Sequence, residues 1–376
     1  MCDNTPRKIN FGPGPAQLPI EVLHNVQKEF FSFDNCGSNV MELSHRSPAF
    51  SKIIDDAEKD IRELLSIPDT YAVLFLQGGA TGQFSAIPMN LINLKPSQTA
   101  DYLVTGYWSE KAAKEAEKYG KVNYVIPKQE KYHDVPEQTT WNLTDDASYF
   151  YYCANETIHG VEIHDVPVLP NKAQIVCDMS SNFLTRQVDV TKFAIIFASG
   201  QKNFGCSGIV LVIVRKDLIG NAMKSTPVNF DFKVQLSNNS MYNTPPTFSI
   251  YISNKMFDWS KRQGGIKALE KQSKIKSDLI YSAIDQSNRF YLSEINPSYR
   301  SRVNIPFRIA INGVPDEKLE KLFLEEALRL NMIELKGHRA VGGLRVSLYN
   351  GITIEETEKL AQLMRTFQTI HCVEAA

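Results

Sequence analysis

A handful of short stretches carry residue types that could do chemistry. Lys202 lies in Phe197-Ala-Ser-Gly-Gln-Lys-Asn-Phe-Gly205, after an apolar run and among small, turn-forming residues. A lysine at the mouth of a sheet loses hydration and its pKa falls. The neutral amine can then form a Schiff base with a carbonyl. The plainer reading is a solvated loop lysine. Asp178 closes the apolar run in Ile175-Val-Cys-Asp-Met-Ser-Ser181. Ligands of open α/β sheets bind at such strand ends, where a carboxylate can pair with a cationic heteroatom. It can equally cap the next turn. Gln77-Gly-Gly-Ala-Thr-Gly-Gln83 joins a strand pattern to a helix pattern. Its small residues let backbone N–H groups approach an anion at a helix start, or simply make a tight turn. It is neither a dinucleotide fingerprint nor a Walker loop, because no lysine follows the glycines. Ser44-His45-Arg46 and Gly337-His338-Arg339, with Arg345 nearby, offer planar forks and imidazole donors. Two such pairs could converge on one small dianion, or serve as surface ion pairs. Trp108, in Thr105-Gly-Tyr-Trp108, could stack on a planar ring or pack into a helix junction.

These residues need a frame. Apolar runs at Tyr71–Gln77, Tyr102–Thr105, Ser148–Ala154, Gln174–Cys177, Phe193–Ala198 and Gly208–Val214 read as strands buried on both faces. Helical patterns, such as Tyr107–Tyr119, lie between some of them. That alternation predicts an α/β domain with a mostly parallel sheet. Upstream, Pro19–Phe33 and a segment starting at Ser47-Pro48 have helical periodicity, the second with a cap and a proline at its start. The polar stretch Gln129–Asp146 reads as loop or hairpin. From Ile250 to Gln286 the spacing predicts a long helix broken at Gly264-Gly265. A strand (Ser301–Ile309), a helix (Asp316–Asn331), a strand (Gly343–Tyr349) and a last helix opened by Thr353-Ile-Glu-Glu356 complete an α+β unit.

Composition sets outer limits. The chain has 376 residues, enough for two domains. Its 41 basic residues against 42 acidic ones leave a net charge of −1, which gives no global field for nucleic acid or an acidic membrane. A local basic pocket for a small anion remains compatible with that total. No apolar run is long enough to span a bilayer, and the first residues show no secretory pattern. The six cysteines are scattered, and no Cys/His spacing fits a metal site. The expectation is a reduced, cytoplasmic protein without metal, nucleic-acid or membrane partners.

The order of the motifs carries more than each alone. Val40-Met-Glu-Leu-Ser-His-Arg46, Cys153-Ala-Asn-Glu-Thr-Ile-His-Gly160, Gly200-Gln-Lys-Asn203, Asn243-Thr-Pro-Pro-Thr-Phe248 and Lys336-Gly-His-Arg-Ala-Val-Gly-Gly343 together resemble the pyridoxal-phosphate aminotransferases of fold type I, class V. More narrowly they resemble the phosphoserine aminotransferase family, over essentially the whole length. The resemblance implies an aspartate-aminotransferase-like fold. Residues 15–255 would form the large cofactor-binding α/β domain, with a mixed, mostly parallel sheet. Residues 256–376, with 1–14, would form a smaller α+β domain. The implied reaction moves an amino group from L-glutamate to 3-phosphohydroxypyruvate, giving O-phospho-L-serine and 2-oxoglutarate, in serine biosynthesis.

The resemblance also implies roles. Lys202 would be catalytic, holding pyridoxal 5′-phosphate as a Schiff base and then moving the substrate proton. Asp178 would pair with the ring nitrogen, Trp108 would stack on the ring and Thr157 would bond near its 3-oxygen. Ala80, Thr81 and Gln201 would contact the phosphate, joined by Asn243 and Thr244 of a second subunit. Arg345 would bind the α-carboxylate. His45 and Arg46 of the second subunit, with His338 and Arg339, would hold the distal acid. A homodimer with shared sites follows. Thr81 stands where bacterial relatives often have Arg, and Cys206 departs from the usual Gly-Pro-Ala-Gly. Another enzyme of the same fold, such as a serine–glyoxylate aminotransferase or a cysteine desulfurase, is the alternative. A desulfurase would need a mobile cysteine in a late loop. A nucleotide-binding α/β protein would leave Lys202 and Asp178 without a job.

Overall fold

The computed structural model describes residues 6–372, so Cys2 lies outside the described residues. The other five cysteines are free. Apolar runs assemble into one seven-stranded sheet. Across it the strands are Tyr71–Leu76, Val210–Arg215, Ile195–Ser199, Ile175–Asp178, Tyr149–Cys153, Thr99–Leu103 and Lys121–Tyr124. Val210–Arg215 runs antiparallel to both neighbours, and every other pairing is parallel.

The continuous apolar character of these strands has a simple cause: both faces are covered. Val73 and Phe75 join one apolar cluster, while Ala72, Leu74 and Leu76 join the other. Helices Pro48–Leu65 and Thr247–Arg262 close the first face through Phe50, Ile53, Ile250 and Phe257. Helices Gly79–Leu91 and Tyr107–Ala116 close the second through Phe84, Ile87, Ala112 and Ala113. Ser47 caps the first of these helices, its Oγ accepting the Phe50 N–H at 3.3 Å. Sequence periodicity does not find Lys121–Tyr124. It is one of the two edge strands, only half-covered, and has no apolar run to signal it. The first helix is also shorter than its pattern suggests, Ile20–Glu29.

A second sheet, around a third apolar cluster, centres on Asn304–Ile311. Leu344–Ser347 pairs antiparallel with it and sets Arg345 opposite Pro306. Helices Gly265–Asp285, Glu317–Arg329 and Ile354–Cys372 pack on this sheet through Ile280, Phe323, Leu360 and Phe367. The long helical stretch breaks as expected. Gly264 and Gly265 take φ of 96° and 72°, a left-handed pair that a side chain would strain. The last helix opens on a reciprocal cap: Thr353 N–H donates to Glu356 at 2.9 Å, and Glu356 N–H donates to Thr353 Oγ1 at 3.1 Å. Ile9–Asn10 pairs in parallel with Met332–Ile333 as a separate two-stranded sheet, tying an early segment to the later part of the chain.

Lys276, buried on helix Gly265–Asp285, locks the segment after Leu344–Ser347. Its Nζ donates to the carbonyls of Leu348 (3.1 Å), Tyr349 (2.8 Å) and Ile352 (2.8 Å). Burial pulls its pKa down to about 7, while three carbonyl acceptors match the three N–H donors of the ammonium form. Lys276→Met should therefore strand three buried acceptors and cost on the order of 2–3 kcal/mol in denaturant unfolding. A loss below about 0.5 kcal/mol would show the carbonyls to be satisfied without it.

Candidate active site

The parallel strands all deliver their carboxyl ends to one edge of the main sheet, and the candidate residues leave from there. Asp178 is the last residue of Ile175–Asp178. Lys202 follows Ile195–Ser199 after a three-residue step. Thr157 and Asn155 follow Tyr149–Cys153, and Trp108 opens the helix after Thr99–Leu103. Ala80 and Thr81 lie in the first turn of Gly79–Leu91. The result is a cavity of ≈ 150 Å³ lined by Ala80, Thr81, Trp108, Thr157, Asp178, Gln201 and Lys202, together with Cys153, Asn155, Ser180, Ser181 and Ser199.

The charges in this cavity are short of partners. Lys202 Nζ donates to Thr157 Oγ1 at 2.8 Å. Burial pulls its pKa down to about 8, and the nearby Asp178 charge opposes that fall. Asp178 accepts the Ser180 N–H at 2.8 Å. Burial pushes its pKa up, and among the described residues no lysine or arginine forms a salt bridge with it. Arg345 is only 5% exposed. It reaches the Thr157 carbonyl at 3.4 Å, yet no carboxylate among the described residues pairs with it. A buried guanidinium without an anion is costly, so this site is built for one.

His338 and Arg339 lie on the same side. The His338 ring stands 5.7 Å from Tyr107, next to Trp108. Burial, then the charges of Arg345, Arg339 and Lys111, push its pKa down. Other candidates are elsewhere in this chain. Asn243 and Thr244 lie beside Gln77, whose Nε2 donates to the Thr244 carbonyl at 3.4 Å. His45 and Arg46 lie ahead of helix Pro48–Leu65 and do not line the cavity. The His45 Nε2 is buried with no partner among the described residues.

Two features were not anticipated from the residues alone. The Ala80 N–H is already taken by Ser199 Oγ at 2.9 Å, which leaves the Gly79 and Thr81 amides as the helix-start donors without an intrahelical acceptor. Glu156, fully buried, is the larger omission. Its carboxylate accepts from Trp108 N (3.0 Å), Ser109 N (2.8 Å) and Ser109 Oγ (2.6 Å). It packs so tightly on Gly106 that a Cβ there would meet Glu156 Cδ at 2.4 Å. Burial pushes its pKa up, and the Ser109 and Trp108 donors pull it back. The signal available was an acidic residue two positions past the apolar run Ser148–Ala154. Glu156 fixes where Trp108 sits, and the next residue carries Thr157.

The donor set fits pyridoxal phosphate. A helix start with a hydroxyl suits a phosphate, an under-compensated carboxylate suits a protonated ring nitrogen, and an amine of lowered pKa stands between them. The buried Trp108 Nε1 and Asn155 Oδ1 have no partner among the described residues, so polar capacity remains for a ligand.

Glu156→Gln would turn one acceptor toward Trp108 N–H into a donor. The expected outcome is a loss of about 2 kcal/mol in unfolding free energy and a changed near-UV tryptophan circular dichroism signal. Wild-type values for both would show that Trp108 is placed without this carboxylate.

Known proteins point the same way. The family model described as aminotransferase class-V matches residues 9–360. A phosphoserine aminotransferase from Drosophila melanogaster is 52% identical over 359 residues, covering 96% of this chain and 98% of that one. Phosphoserine aminotransferase 1, chloroplastic, of Arabidopsis thaliana is 48% identical over 97% of this chain and 83% of its own. Among solved structures, a phosphoserine aminotransferase from Bacillus circulans subsp. alkalophilus superposes with a TM-score of 0.92 at 40% identity, covering 97% and 99% of the two chains. A PLP-bound phosphoserine aminotransferase from Trichomonas vaginalis gives 0.91 at 40%, covering 96% and 100%. Match, coverage and fold agree: the chain belongs to the class-V aminotransferase family.

Proposed function

We propose that the chain is a pyridoxal-phosphate-dependent transaminase that moves an amino group from L-glutamate to 3-phosphohydroxypyruvate, releasing 2-oxoglutarate and O-phospho-L-serine for serine synthesis. The observation that carries this reading is the pairing of an amine and a carboxylate, Lys202 and Asp178, in one cavity with the uncompensated cation Arg345 at its side. The relatives named above support the substrate assignment.

When bound, pyridoxal phosphate supplies an electron sink for the substrate Cα–H bond. The Gly79 and Thr81 amides, the Thr81 hydroxyl and Gln201 would hold its phosphate, and Asp178 would keep the ring nitrogen protonated. Trp108, its backbone N–H held by Glu156, would cover the ring face. Lys202 does the proton work. With a pKa near 8, a usable fraction of its amine is neutral at physiological pH and can take the Cα proton. Thr157, 2.8 Å away, orients Nζ through its hydroxyl. Arg345 forks onto the α-carboxylate, which fixes the Cα–H bond relative to Lys202. His338 and Arg339 take the distal acid. Phosphate and carboxylate together bring about three negative charges near neutrality, in proportion to these cations. Binding that dianion offsets the Arg345, Arg339 and Lys111 charges that help hold the His338 pKa down.

Asn243, Thr244, His45 and Arg46 find their roles if a second copy places them over the cavity. The active unit in this reading is a homodimer, and the unpartnered His45 Nε2 supports it. Among the described residues no helix is long and apolar enough to cross a membrane. We place the enzyme in the cytoplasm, with the large and small domains meeting near residue 255.

Purified protein should be yellow, and borohydride should fix pyridoxal phosphate on Lys202, read by peptide mass. Lys202→Ala should lower transamination by at least about a thousandfold. A colourless protein that takes up no pyridoxal phosphate would overturn the reading. Arg345→Ala should raise KM for both glutamate and the keto acid, since both carry the α-carboxylate. An effect on one substrate alone would move Arg345 to the distal group.

A further inference from the structure

Lys111 has no role so far. It is exposed, one turn into helix Tyr107–Ala116, the helix that carries Trp108. Its Nζ lies 4.8 Å from the Tyr107 ring centroid and 5.7 Å from that of Trp108. Exposed lysines normally find a carboxylate or wave in water. This one rests on the two aromatic rings at the mouth of the cavity, an attraction of about 0.5–1 kcal/mol that holds the amine in place. Its neighbours confirm the direction it serves. Glu110 is engaged elsewhere, with Lys114 at 3.0 Å and Lys128 at 3.5 Å. The next lysine on the helix therefore has its counter-ion, and Lys111 does not: among the described residues no carboxylate pairs with it.

The Tyr107 ring is shared. His338 packs on it at 5.7 Å, and after burial and the charges of Arg345 and Arg339, the Lys111 charge also pushes the imidazole pKa down. His159, whose Nδ1 accepts the Tyr107 N–H at 3.4 Å, is held neutral, its pKa lowered to about 4 by burial. So the mouth of the cavity carries His338, Arg339, Arg345 and Lys111, with no carboxylate paired to any of them among the described residues. Cations gather this way against self-repulsion only where an anion compensates them.

We propose that Lys111 is a further specificity-determining residue, a cation on the Tyr107–Trp108 shelf that joins His338 and Arg339 in binding the distal phosphate dianion of the keto acid. The proposal rests on the transaminase reading above. Its action is graded by charge. The phosphate carries close to two negative charges and the glutamate side chain one, so Lys111 favours the phosphorylated partner in the second half of the cycle. Because the amine stays at the solvent edge, it also draws the dianion in by long-range attraction that salt weakens.

The test uses the holoenzyme and Lys111→Met, which keeps the apolar stem on the rings and removes the charge. In single-turnover measurements, kcat/KM for 3-phosphohydroxypyruvate should fall about tenfold, while the half-reaction with glutamate changes less than twofold. The salt dependence of the phosphorylated half-reaction should flatten. Lys111→Arg should restore most of the loss, and Lys114→Met, one turn away and paired with Glu110, should behave as wild type. An equal effect on both half-reactions, or none, would overturn the proposal. A second measurement separates it from the reading it rests on. Inorganic phosphate should raise the thermal midpoint of the wild-type holoenzyme, and that shift should shrink in Lys111→Met. Equal phosphate shifts would sink the Lys111 proposal even with the transaminase intact. A wild-type enzyme that ignores the phosphorylated keto acid would sink the substrate assignment instead.

Discussion

The hydrogen bond from Lys202 Nζ to Thr157 Oγ1 sets the conditions for everything around it. It holds an amine inside a cavity where hydration is poor, and poor hydration is what makes the amine useful. The same desolvation acts on Asp178 with the opposite sign, raising a carboxyl pKa where it lowers an amine's. Two groups that would be inert in water become reactive because the strand ends bring them close and keep water away. The sheet is the means. With the strand ends that carry these groups running in parallel, their carboxyl termini meet at one edge, and segments from the ends of five strands meet there.

The rest of the site is arranged by residues that never need to touch a substrate. Glu156 and Thr157 are adjacent, yet they serve different neighbours: Glu156 holds the start of the Trp108 helix, and Thr157 holds Lys202 and, through its carbonyl, Arg345. One short segment therefore sets the relative positions of an aromatic face, an amine and a guanidinium. Asn203 does similar work across the two sheets, its Oδ1 accepting the Asn350 N–H at 2.9 Å. The lysine loop of one sheet is thus tied to the loop that follows Arg345 in the other.

What could be read from the residues follows from where information lies in a chain. Strands covered on both faces leave dense apolar runs, and so Tyr71–Leu76, Tyr149–Cys153 and Val210–Arg215 were visible, while the half-exposed Lys121–Tyr124 was not. Capping and glycine breaks are local chemistry, which is why Thr353–Glu356 and Gly264-Gly265 could be placed to the residue. Lys202 and Asp178 stood out because polar residues that end apolar runs have few other reasons to be there. Glu156 does not end an apolar run: it sits inside Asn-Glu-Thr, and its partners Trp108 and Ser109 lie far upstream, where no local pattern points. Ala80 was placed in the cavity, but its N–H is spent on Ser199, a partner 119 residues away that no local pattern reveals. His45 and Arg46 do not line the cavity within this chain, and the proposed roles of His45, Arg46, Asn243 and Thr244 call for a second copy, which spacing within one chain does not encode.

The pairing of Ile9–Asn10 with Met332–Ile333 has a consequence for how the molecule is made. It does not act alone. Phe11 accepts the Ser347 N–H at 3.0 Å, and Gln17 Nε2 donates to the Gly351 carbonyl at 3.0 Å. Residues 9–17 leave the ribosome early, but their partners are translated more than three hundred residues later. During synthesis this segment must wait, and neither its pairing with Met332–Ile333 nor the Phe11–Ser347 hydrogen bond can form until the late segments are made. Large sequence separations of this kind make closure slow. The strand that carries Arg345 is therefore fully bonded only once residues from both ends of the chain have met.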